Sequence, residues 1–143
     1  MKELRVLTFT LLKDDVTYQT LTGGNATDPR VYYQYTPAKV VVSDTTPAYS
    51  VYYRSGTVRN LPRVDVAGRD DQVFTVEIYA QTADRCEDIA DGLEALFRDS
   101  QYTTDSFVVL NCYAAIIGSP VFDDGRRLFT LSVNVHYTKI VAR

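Results

Sequence analysis

Tryptophan is absent from this chain, histidine occurs once, and cysteine twice in 143 residues. The scarcity of histidine is the most restrictive. Any Ser-His-Asp or Cys-His nucleophile arrangement would have to use His136, and no Gly-x-Ser-x-Gly elbow is present to offer a serine. His136 falls on the polar side of an alternating segment, where a solvated imidazole is the expectation. A zinc site would have to gather His136, Cys86, Cys112 and a carboxylate without any short ligand spacing. Cys86 lies on the apolar side of a helical pattern and Cys112 inside an apolar strand, so both read as reduced core thiols. No run of 18 apolar residues is present to make a membrane-spanning helix. Met1-Lys2-Glu3-Leu4-Arg5 puts charges where a signal peptide has its apolar region, so secretion by that route is not expected. Gly23-Gly24 has neither the lysine nor the spacing of a phosphate loop and reads as a helix stop. The pairs Asp14-Asp15, Asp70-Asp71 and Asp123-Asp124 lack the ligand repeat of a calcium loop and read as solvated turn residues. The expectation is a chain with no catalytic residue, no cofactor and no metal.

What is present describes one globular domain, residues 1–143, with a short basic tail from Lys139 to Arg143. Hydrophobic residues make up 45% and charged residues 23%, which excludes wholesale disorder. The formal net charge of −3 argues against a general nucleic-acid binder but leaves room for a local basic patch.

The clearest pattern runs over residues 72–97. Phe74, Val76, Ile78 and Ala80 alternate with Thr75, Glu77 and Tyr79, as in a strand buried on one side. Asp84 and Glu87 read as a capping box. Cys86, Ile89, Ala90, Leu93, Leu96 and Phe97 then repeat at i, i+3, i+4 and i+7, as in a helix packed on a sheet. A second helix is expected over residues 2–22, with Leu4, Leu7, Leu11 and Leu12 as its stripe. Short extended runs are expected at residues 31–35 and 39–43, and a better strand at 48–54. Residues 55–71 turn polar and irregular, as an extended loop or a hairpin arm. Residues 99–106 read as a polar linker. Strands at 107–117 and 127–137 are expected to pair as an antiparallel hairpin, with Phe129, Leu131, Val133, Val135 and Tyr137 on one side of the second. The fold class is α+β: an antiparallel sheet with two helices packed on it.

Eleven tyrosines are present, and Tyr32, Tyr33, Tyr35, Tyr49, Tyr52 and Tyr53 cluster in one quarter of the chain. The strand at 48–54 carries tyrosine on both sides. One side supplies core; the other either meets a partner protein or packs under the chain's own loops. Beside it lie Arg54, Arg59, Arg63 and Arg69.

The strand Val76-x-Ile78-x-Ala80, followed by the helix positions Cys86, Ile89, Ala90, Leu93, Leu96 and Phe97, resembles the tail-terminator or tail-completion proteins of long-tailed bacteriophages, which join heads to tails. The run Pro47-Ala48-Tyr49-Ser50-Val51-Tyr52 resembles that family's Pro-Tyr-apolar segment, with Ala48 inserted. The likeness extends over residues 4–137 as a pattern of apolar positions. It implies a non-enzymatic virion protein of the tail or neck, made in the host cytoplasm. Such proteins form a ring, usually of six subunits, on the head-proximal end of the tail tube. They stop tube polymerisation and meet a head-side connector or stopper protein. The implied partners are further copies of the chain, the tube protein and the connector, with DNA only as passing cargo and no membrane. The subunit or tube interface is expected at Tyr52, Tyr53, Arg54, Arg59, Arg63 and Arg69, with Asp123 and Asp124 of a neighbour pairing with the arginines. The alternatives are another neck adaptor, or a nucleic-acid-binding module using the arm from Arg54 to Arg69.

Overall fold

The computed structural model describes residues 2–35, 40–59, 69–98, 101–103 and 107–141. Among these, the chain runs α1 (Lys2–Asp14), α2 (Val16–Thr22), β1 (Val31–Tyr33), β2 (Ala48–Arg59), β3 (Arg69–Ala80), α3 (Ala83–Leu96), β4 (Tyr102–Thr103), β5 (Phe107–Asp123) and β6 (Leu128–Val141). The strands form one sheet in the order β1-β2-β3-β6-β5-β4. The α+β architecture is as the periodicities predict, with one exception: β1 runs parallel to β2, so the sheet is mixed.

One side of the sheet carries the helices. Across it, Tyr52, Val76, Val133 and Ile116 share one row, and Ser50, Ile78 and Leu131 share another. The α3 residues Cys86, Ile89, Ala90 and Leu93, with Phe97 at its C-cap, join Phe74, Val76, Ile78, Leu131, Val133 and Val135 in a single buried cluster. Leu96 packs against its edge, half-buried. The period of two in β3 and β6 meets the period of 3.6 in α3, and each buries the other's apolar side.

The N-terminal helix is two helices. Asp15 adopts an extended conformation (φ −77°, ψ 114°) and accepts a hydrogen bond from the Tyr18 backbone N–H, so it ends one helix and caps the next. In α1, Leu4, Thr8 and Leu12 are fully buried at a spacing of four. The Thr8 hydroxyl donates to the Leu4 carbonyl at 2.8 Å and lies 2.7 Å from the Tyr137 hydroxyl of β6, which ties the helix to the middle of the sheet. α2 ends at Gly23, whose left-handed φ of 74° is needed there. A Cβ on Gly23 would come within 2.1 Å of the Thr45 carbonyl oxygen.

Other local expectations shift. The cap of α3 is Thr82, which accepts from the Arg85 N–H, and not the box begun at Asp84. The strand expected to end at residue 117 runs on to Asp123, through residues 118–120. They form a bulge inside β5, where pairing with β6 slips between Ile117 and Val121, and Gly118 takes φ +77°. The polar segment at 55–71 is a hairpin arm at its base: β2 and β3 stay paired out to Arg59 and Asp70. The rest of the arm, Arg63 included, lies outside the described residues, as do Lys39, Arg143 and parts of the 99–106 linker.

Candidate functional site

The helices cover one side of the sheet; the other is finished by side chains and one short segment. At the end of the sheet nearest the start of β2, Tyr49, Val51 and Tyr79 form a second small cluster. Val40, Val42, Tyr32 and Leu128 pack over it, and the Tyr49 and Tyr79 rings stack with centres 5.1 Å apart. The segment bearing Val40 and Val42 is held by Arg30, which is only 3% exposed. Its Nε donates to the Ala48 carbonyl at 3.1 Å, and its Nη2 donates to those of Val41 at 2.8 Å and Thr46 at 3.3 Å. Arg30 itself takes a left-handed φ of 59°.

Toward the middle of this side the surface becomes polar and half-open. Glu77 accepts from Tyr53 at 3.0 Å through one carboxylate oxygen and from Tyr79 at 2.9 Å through the other. Burial, and then the bond to Glu77, raises both phenol pKa values. Thr75 donates to Asn134 at 2.9 Å. His136 stacks on Tyr113 with ring centres 4.6 Å apart. Burial lowers its pKa, while the Asp71 carboxylate opposes that shift. Both cysteines are buried and free. They belong to the helix side, where Cys86 bonds the Phe129 carbonyl and Cys112 that of Phe97. His136 therefore has no thiol beside it, and among the described residues no three His, Cys, Asp or Glu side chains gather.

The predicted interface residues fall in three places. Tyr52 is on the helix side, 2% exposed, with its hydroxyl on the Arg5 carbonyl, so it supplies core and not contact surface. Alternation gives its neighbour Tyr53 the opposite side, half-buried beside Glu77. Arg54 is exposed at a β2 irregularity, and Arg59 and Arg69 lie on the paired strands of the arm. Asp123 and Asp124 are at the far end of the sheet: β6 pairs with the start of β3 through Ile140 and with the end of β5 through Leu128. At about 3.3 Å per residue that separates the Arg69 position from the turn by roughly 40 Å along the sheet. Asp123 is also engaged at home. The Arg126 backbone N–H and guanidinium both bond it at 3.1 Å, which holds its carboxyl below the usual range. The Arg126 guanidinium sits 4.5 Å over the Tyr79 ring.

Two features escape sequence reasoning. The outer edge of β5 is covered by β4 only at Val108 and Val109. Beyond that, among the described residues, the edge is open, with Tyr113, Ile117, Val121 and Phe122 exposed. Between α3 and the β5 bulge lies a groove of about 240 Å³, lined by Glu87 and Asp91 above Ala90, Ile116 and Leu131. Its acidic rim is the complement of the apolar stripe in α3, legible as charge but not as a groove.

Neither a protein-family model nor a curated protein sequence matches the chain. A chain in the solved structure of the virion of a native gene transfer agent particle shares the fold, with a TM-score of 0.64 at 9% sequence identity. The match covers 94% of this chain and 91% of that one.

Proposed function

We propose that this chain is a structural protein of a phage-like particle. Within that class, we propose that it is the terminator that forms a ring on the head-proximal end of the tail tube and joins it to a head-side connector. The observation that carries the reading is the end-to-end fold likeness to a chain of a virion, which covers nearly all of both molecules. The layout of the molecule supports it. A ring needs one surface that fits a different surface on the next copy. This chain carries an arginine-bearing hairpin at one end of its sheet, and an open strand edge and an acidic groove toward the other. The half-buried tyrosines and the exposed Tyr113, Ile117, Val121 and Phe122 are the residue types found at protein contacts. No step of this role calls on a catalytic residue, a cofactor or a metal.

The test is co-expression with the tail-tube protein of the same particle, followed by mass measurement and electron microscopy. The expected result is a ring of several copies, six by the family resemblance, at one end of tubes of limited length. Tubes that grow without limit in its presence, with no chain bound at their ends, overturn the terminator role. Binding at the connector alone shows a neck adaptor instead.

A further inference from the structure

We infer that the outer edge of β2, at the base of the arm, pairs with the outer edge of β5 in the next copy of this chain, so that one sheet runs on into its neighbour. The inference rests on the reading that the chain closes into a ring, and it names the two edges that meet. Both are strand edges with open backbone. β1 covers β2 only as far as Tyr52, and β4 covers β5 only at Val108 and Val109. Among the described residues this leaves β2 open from Tyr53 to Arg59 and β5 open from Asn111 onward. The two edges face outward from opposite ends of one sheet, with β3 and β6 between them. A single chain therefore cannot join them, and a second copy can.

Direction and height both agree with a ring. Three antiparallel steps lead from β2 to β5, so the two strands run in opposite directions. Tyr53, Thr75, Asn134 and Ala115 form one row across the sheet, and Gly56, Val73, His136 and Tyr113 form another. The open parts of β2 and β5 thus lie at the same height. Copies in a closed ring are related by rotation alone, with no shift along the axis. With the axis along the strands, rotation sets β2 of one copy beside β5 of the next, antiparallel and level. The side chains agree as well. Tyr53 falls opposite Ala115 and Gly56 opposite Tyr113, large against small in both pairs. Ser55 between them is the extra residue of the β2 bulge. Nothing within its own chain requires Gly56 to be glycine. Its φ is not positive, and a Cβ there would meet nothing nearer than the Val73 Cβ at 4.0 Å. Close approach of another backbone is a reason for glycine in a strand. β5 also lacks the charges that keep a free edge from pairing: none occurs from Phe107 to Phe122.

Size exchange tests this on the full-length chain, alone and on its tail tube. Gly56→Leu should leave far-UV circular dichroism and thermal midpoint unchanged, because its own chain has room for the side chain. Its self-association, read by sedimentation over a concentration series, should weaken at least tenfold. Adding Tyr113→Ala, which clears space on the facing edge, should restore association to within about threefold. A second measurement does not depend on a bulky residue beside the bulge. Copies carrying Gly56→Cys are mixed with copies carrying Tyr113→Cys and oxidised. A disulfide-linked pair of one of each is expected, since both native cysteines are buried. Within one chain the two positions are three strand spacings apart, roughly 14 Å, which is too far for a disulfide. If Gly56→Leu associates like the unmodified chain and the mixed cysteine pair does not form, the inference fails while ring assembly stands. If the unmodified chain neither self-associates nor joins the tube, the assembly reading fails and this inference with it.

Discussion

Removing the Arg30 guanidinium tests how the uncovered side of the sheet is closed. Arg30→Met keeps most of the stem volume and deletes three donors, to the carbonyls of Ala48, Val41 and Thr46. Hydrogen bonds from a charged group are each worth about 1.5–3 kcal/mol, but the variant also escapes the cost of burying a cation, which is several kcal/mol. Asp28, at 3.7 Å with its side chain half exposed, returns to water at little cost, so its loss adds little. The larger penalty comes from the carbonyls left without a donor, and the net destabilisation should be about 2–4 kcal/mol. Arg30→Lys should recover only a part, because one ammonium cannot reproduce a planar fork aimed at three oxygens. With no tryptophan, urea unfolding is followed by far-UV circular dichroism and tyrosine emission. Acrylamide quenching should rise in the native baseline as Val40 and Val42 loosen over Tyr49 and Tyr79. An Arg30→Met chain within about 0.5 kcal/mol of the unmodified one would show that apolar packing alone holds the segment.

Three further outcomes follow from the packing and the titrating groups. Leu93, 1% exposed between α3 and the sheet, should cost about 2–5 kcal/mol on truncation to Ala, and an unchanged urea midpoint would remove α3 from the core. Burial pushes the Cys86 thiol up to about 11, so a thiol reagent at pH 8 should leave the native protein unlabelled and modify two cysteines in denaturant. The His136 pKa in the fold lies below its usual 6.5, so the unfolded chain takes up the proton first as pH falls. Its contribution is complete above that value and is lost as pH drops through it, a small slope for a half-exposed ring, which His136→Gln should flatten.

The strongest periodicities translated directly. β3, α3 and β6 each bury one side, and the residues named from spacing alone, among them Phe74, Val76, Ile78, Ile89, Leu93, Leu96, Phe97, Leu131, Val133 and Val135, occupy the core or its edge. Where sequence reasoning stopped, a long-range contact decides. β1 lies parallel to β2 because the Arg30 carbonyl accepts from the Ser50 N–H and the Gln34 N–H donates to the Tyr52 carbonyl, a pairing no local pattern encodes. β2 and β3 continue into the polar arm because their backbones still pair there, although the side chains show no alternation. The bulge at 118–120 looks like a turn because Gly and Pro mark both. Tyr52 and Tyr53 show the same limit at the interface. Alternation says they face opposite ways, but only α1, whose Arg5 carbonyl accepts from Tyr52, and Glu77, which accepts from Tyr53, settle how each is held.

That the arm is a hairpin, at least to Arg59 and Asp70, changes what its arginines can achieve. An exposed ion pair contributes only about 0–1 kcal/mol, because Coulomb attraction in water is set against the entropy of fixing two long side chains. On a flexible loop, ordering the backbone would add about 1–2 kcal/mol per residue and cancel several such pairs. Here the base of the arm is already ordered by its ladder, so that cost has been met in folding the monomer. In the proposed ring one contact would repeat at every junction, and the last would form between surfaces already held together. Weak, salt-sensitive contacts of this kind suit a subunit that stays dispersed until a tube end gathers the copies. Raising salt from 0.05 to 0.5 M should therefore weaken the free chain's self-association more than it weakens rings already seated on tubes. The opposite ordering would mean that apolar contacts, such as those available to Ile117, Val121 and Phe122 on the open β5 edge, drive subunit contact, with the arm secondary.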